Sequence, residues 1–209
     1  FLLLLVTALY VCCSVAVPYP LTTREGASLA PVYLMQKGLN PFDTRFIPEY
    51  YNGYVFVQQY LNLLAVKVGG LNLITLRAEG QLFILLFCFL LYLSLVKVSK
   101  NMPLSFLFAF IFYAASTYLN TSEARADAYG LFFYTAAITS FLVFDKKWLK
   151  VFVLITASVL CLFTKFYFVA GFAIVACYEL LIFSWRRLLI FIFSSLVLFG
   201  SGIFLVARY

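Results

Sequence analysis

From Gly80 to Val96 the chain carries no charged residue, and Leu and Phe dominate the stretch. A run that long and that apolar is stable only in lipid or in the core of a large domain. Comparable runs recur over about 1–17, 104–119, 128–144, 149–164, 166–184 and 188–206, with this one taken as 82–98. They are continuous. A membrane β-barrel would instead show segments of about ten residues with alternating polarity. Mean hydropathy is +1.03 and 11% of residues are charged, against about 25% in soluble domains. The expectation is an all-α polytopic transmembrane helix bundle with about seven spans. Most runs fall slightly short of the ~20 residues a bilayer asks for, and flanking Tyr, Trp and Lys extend them to the interface.

The chain starts at Phe1 without a Met and stops at Arg208-Tyr209 just after an apolar run. It is read as a piece of a longer chain. SVAVP after the first run resembles a cleavage site, but the many later spans favour a retained first helix. The five cysteines, Cys12, Cys13, Cys88, Cys161 and Cys177, all lie inside apolar runs without metal-ligand spacing, and read as small buried hydrophobes. The absence of histidine removes Ser-His-Asp catalysis, His-bound metals and His-ligated haem as options within this stretch.

Residues 54–76 are ambiguous. Val57, Leu61, Leu64, Ala65 and Val68 share one helical face, interrupted by Gln58, Gln59, Asn62 and Lys67. That pattern suits a helix lying in the interface. The positive-inside rule agrees. If 54–76 does not cross, Lys97, Lys100, Lys146, Lys147, Lys150, Arg186 and Arg187 fall on one side. The opposite short loops then hold only Arg125 and Lys165. Residues 18–81 become one large extracytoplasmic segment, followed by six spans over 82–206. The net charge of +7 is explained by this topology and is no sign of nucleic-acid binding; the cationic inner face favours anionic lipids.

Four charged groups fall on the outer side: Arg24-Glu25, Arg77 with Glu79 just ahead of the second span, Glu123, Arg125 and Asp127, and Lys165. Each has a plain explanation. Arg77, Arg125 and Lys165 suit interface anchors. Asp127 suits a helix start. Glu25 suits a solvated pair with Arg24. Their convergence at one face also fits a site for a lipid-linked phosphate, with cations on the phosphate and a carboxylate taking a proton. Asn40-Pro41 and Tyr19-Pro20 mark turns, and Asn120-Thr121-Ser122 matches the glycosylation sequon.

The order of features resembles the GT-C membrane glycosyltransferases, in the branch of protein O-mannosyltransferases and lipid A aminoarabinose transferases. TREGASLAPVYLMQKGLNPFDTRFIPEYYNGYVFVQQYLNLLAVKVGGLN is similar to that family's first outer loop: an acidic residue, a small-residue helix, then a Pro/Tyr-rich stretch. LNLITLRAEGQL, EARADAYGLFF and LCLFTKFYFVAG are similar to its later landmarks. The resemblance implies inverting transfer of a sugar from a polyprenyl-phosphate donor to an acceptor hydroxyl. It places the proton-accepting role on Glu25, where the family usually has Asp. Arg24, Arg77, Arg125 and Lys165 are the candidates for donor binding, and Asp127 orients Arg125 or meets a polar group. Some family members use a divalent metal, for which Glu25, Asp43 and Glu49 could supply oxygen ligands. The expected localisation is an integral membrane protein of a bacterial inner or plasma membrane, or of the endoplasmic reticulum, with the large first loop outside. Partners would be the donor, membrane lipids and an acceptor that the residues do not identify. The alternatives are a non-catalytic scaffold subunit of a membrane complex and, further off, a transporter.

Overall fold

The computed structural model describes residues 2–21, 23–43, 56–119, 125–165 and 185–207. Among these there is no strand. Eight helices follow one another: α1 (Leu2–Ala16), α2 (Thr23–Gln36), α3 (Phe56–Gly69), α4 (Leu73–Ser99), α5 (Met102–Tyr118), α6 (Ala126–Val143), α7 (Lys147–Leu162) and α8 (Trp185–Ala207). Two of them, α4 and α6, are long and apolar enough to cross a membrane. Leu2–Ala16, Met102–Tyr118 and Trp148–Leu162 are shorter apolar helices. The expected span over 166–184, Glu49, Glu123 and the sequon at 120–122 lie outside the described residues.

Local chemistry explains the helix ends. Asn72 caps α4: its side chain accepts from the Thr75 amide at 2.8 Å, which is why the helix starts at Leu73 and not near Leu82 as expected. At 27 residues, α4 is about 40 Å long. Arg77 and Glu79, expected ahead of the span, are therefore inside its first two turns. α4 stops at Lys100, which adopts a left-handed φ of 56° and returns its amide to Val96. Asn101 then caps α5 by accepting from the Leu104 amide at 3.1 Å. Asn40 accepts from the Phe42 amide at 2.9 Å, making the turn expected there.

The core is a row of helices in which α4 packs on α5 and α6, and α6 on α7. The α4 and α6 helices run parallel. Phe83 meets Tyr129 and Phe133 near their starts, and Ser94 meets Thr139 at 2.8 Å near their ends. Small residues allow the close approach: Ala126, Ala128, Gly130 and Ala137 on α6 are all buried, and the Cys161 thiol reaches the Gly130 carbonyl at 3.5 Å.

Polar as well as apolar side chains are buried between the helices, and many large apolar ones are exposed. Thr7, Gln58, Gln59, Asn62, Arg77, Glu79, Ser94, Thr139 and Ser140 are buried. Leu104, Phe106, Leu107, Phe108, Ile111 and Phe112 of α5, and Leu82, Leu85 and Phe89 of α4, are exposed. On α3, Gln58, Gln59, Asn62, Val57 and Val66 turn inward, while Leu64 and Val68, on the apolar face expected to lie in the interface, are exposed, Val68 at 93%. Asn62 on α3 finds its partner in Tyr129 on α6, a bond that favours the polar face turning in. Cys12 and Cys13 are exposed, whereas Cys88 and Cys161 are buried as expected.

Candidate functional site

The expected site residues gather at the end of the bundle where α4 and α6 start. The first group is built on Glu25, in the first turn of α2. Its carboxylate is fully buried and is shared by two donors of Arg77: Nε donates to Oε1 at 2.7 Å and Nη2 to Oε2 at 2.7 Å. The Leu21 amide also donates to Oε2 at 2.7 Å, the reach-back expected of a glutamate in a first helical turn. Arg77 uses its remaining N–H groups on the chain that leaves α1. Nη1 donates to the carbonyls of Ser14, at 3.0 Å, and Val17, and Nη2 to that of Tyr19 at 2.8 Å. One guanidinium thus caps the end of α1, neutralises the start of α2 and anchors both to α4. Such a fork is available to arginine and not to lysine.

This changes the roles open to both residues. Glu25 was expected to pair with Arg24 or to serve as a base; its partner is Arg77, and Arg24 occupies the same first turn of α2. Arg77 was expected to hold a donor phosphate, and its fork is given to Glu25 and to three carbonyls.

The second group joins α6 to the end of α7. The Lys165 ammonium donates to both Asp127 oxygens, at 2.9 and 3.1 Å. Both side chains are about a fifth exposed. Asp127 sits in the first turn of α6, where a negative charge complements the helix dipole. Arg125 is the N-cap residue of α6 and is half-buried, without a side-chain cap. The Val57 amide donates to the Phe163 carbonyl at 3.3 Å, and the Phe56 and Phe163 rings lie 4.6 Å apart. These contacts bring α3 onto the same end.

The third group was not anticipated as a site. Tyr129, wholly buried on α6, donates to Asn62 Oδ1 of α3 at 2.7 Å. The sequence signal was present in the polar positions of α3, which looked like interruptions until α6 supplied their partner.

No group of three or more His, Cys, Asp or Glu among the described residues is placed to hold a metal. The chain is thus a helical protein with two helices of membrane-spanning length and a buried, charged end. No family model, curated protein or solved structure matches it.

Proposed function

We propose that the chain is the membrane module of a glycosyltransferase that takes its sugar from a polyprenyl-phosphate donor, built as a polytopic bundle of about seven spans. The observation that carries the reading is the gathering of Glu25, Arg77, Glu79, Arg125, Asp127 and Lys165 at one end of a helical bundle with widely exposed apolar side chains. Contiguous apolar surface on α4 and α5 would aggregate in water and is at rest in lipid. Polar and small residues between helices are what hold bundles together there. The parallel course of α4 and α6 places Lys97 and Lys100 at the same end as Lys146 and Lys147, opposite the charged site, which fits an inner cationic face. Arg125 and Lys165 are the cations proposed to meet a donor phosphate, each by exchanging its present partner for it, Asp127 in the case of Lys165. Inner, plasma or endoplasmic-reticulum membranes all suit this topology, with the site on the extracytoplasmic side.

A second reading, a non-catalytic scaffold, is favoured by one observation: both oxygens of Glu25 are taken by Arg77. Binding of a polyprenyl monophosphate to the full chain in lipid nanodiscs, followed by native mass spectrometry, tests the first reading. Saturable binding that weakens at least tenfold in Arg125→Ala/Lys165→Ala supports it. Absent or unaltered binding leaves the scaffold.

A further inference from the structure

We infer that the cleft between α1, α4 and α5 holds one acyl chain of a bilayer phospholipid, which packs α1 onto the bundle. The inference rests on the membrane placement proposed above and not on the transferase chemistry. At the charged end α1 is pinned. Arg77 of α4 donates to the carbonyls of Ser14 and Val17, and the rings of Tyr10 on α1 and Tyr118 on α5 lie 4.7 Å apart. Toward the start of α1 the same three helices stand around a cavity of about 660 Å³. It runs along α1 from Leu4 to Cys12, about 12 Å of helix.

The lining decides the occupant. It is almost wholly apolar, and none of the described residues that form it is charged. Two of its hydroxyls are spent within the protein: Thr7 donates to the Leu3 carbonyl at 2.8 Å and Tyr113 to Gln81 Oε1 at 3.4 Å. Water finds little to bond there, and apolar cavities of even about 150 Å³ stay dry and admit apolar guests. Leu4, Leu85, Phe89 and Phe106 line the cavity and are each about half exposed, so it opens sideways to the surroundings of the helices. In a bilayer those surroundings are hydrocarbon. The length of the cavity commits the choice further. Its 12 Å fits within one leaflet, which is ~15 Å deep, half of the ~30 Å hydrocarbon core. A phospholipid acyl chain covers that depth. A polyprenyl phosphate would bring an anion that meets no cation here, since Arg125 and Lys165 belong to α6 and the end of α7, which do not line the cavity.

The test delipidates the full chain in detergent and titrates it with dioleoyl phosphatidylcholine or dioleoyl phosphatidylglycerol, read by native mass spectrometry. One lipid per chain should bind saturably, with affinities for the two headgroups within threefold because the lining is uncharged. Ala8→Phe, which fills the cavity from an exposed position of α1, should weaken binding at least tenfold. Ile111→Phe, on an exposed part of α5 outside the cavity, should leave it unchanged. A second readout needs no variant. Cys12 lines the cavity and the adjacent Cys13 does not, although both are exposed. Saturating lipid should slow alkylation of Cys12 by a small thiosulfonate at least fivefold and leave Cys13 as it was. Equal slowing of the two thiols, or of neither, overturns the site. So does binding that is not saturable, or that falls as much in Ile111→Phe as in Ala8→Phe. Displacement of the phospholipid by polyprenyl monophosphate would hand the cavity to the donor and overturn the inference as well. Phospholipid binding without polyprenyl-phosphate binding keeps this site and sinks the transferase reading. Polyprenyl-phosphate binding without phospholipid binding does the reverse.

Discussion

Arg77 and Glu25, 52 positions apart in sequence, meet through two parallel hydrogen bonds of 2.7 Å in a place closed to solvent. The pair is the knot that ties α1, α2 and α4 together. Removing one partner leaves the other charged and buried, at a cost of about 3–5 kcal/mol. Arg77→Leu and Glu25→Gln should each lower the apparent unfolding temperature in detergent by about 10 °C. The double variant should lose less than the sum of the two. A Glu25→Gln protein that unfolds like the unsubstituted chain would show that the pair does not hold the corner.

Asp127 and Lys165 are a different kind of pair, about a fifth exposed. Their coupling should be only about 0.2–1 kcal/mol and should shrink between low and physiological salt. A double-mutant cycle with Asp127→Asn and Lys165→Met, read by thermal unfolding at two salt concentrations, measures it. A coupling that ignores salt would mean the pair is far more enclosed than its exposure says.

The turn between α3 and α4 rests on Gly69. A Cβ there would come within 2.6 Å of Thr75 Oγ1 and 2.8 Å of its Cγ2. That hydroxyl is already committed to the Gly69 carbonyl at 2.8 Å. Gly69→Ala should therefore cost about 1–3 kcal/mol, and Thr75→Ala in the same chain should recover part of it. If Gly69→Ala is neutral on chemical denaturation, the turn has more freedom than this packing allows.

Between α4 and α6, the Ser94 and Thr139 hydroxyls share a hydrogen bond of 2.8 Å among apolar neighbours. Bonds of this type inside membrane bundles average about 0.6 kcal/mol. Ser94→Ala with Thr139→Val should show a coupling of that order in a steric-trapping or unfolding cycle. A value above about 2 kcal/mol would mark the contact as a main fastening of the two helices.

The apolar runs alone were enough for the helical class, because only helices and closed barrels satisfy their own backbone groups in lipid, and a barrel would need short segments of alternating polarity. They also located most helix centres, whereas the caps at Asn72 and Asn101 emerged only with the structure. The charged residues could be named from the sequence because charges in such a chain are few and costly. Their pairing could not. Glu25 has Arg24 beside it in sequence, yet Arg77 takes it, because only the packing of α2 against α4 brings a planar fork and a buried carboxylate to one point. The inward face of α3 was not legible for the same reason: only the closed bundle brings Tyr129 on α6 to Asn62, a hydrogen bond that lipid cannot offer. Composition decides what a segment can become; which polar groups meet is a matter of distances between helices far apart in sequence, and those exist only once the bundle has closed.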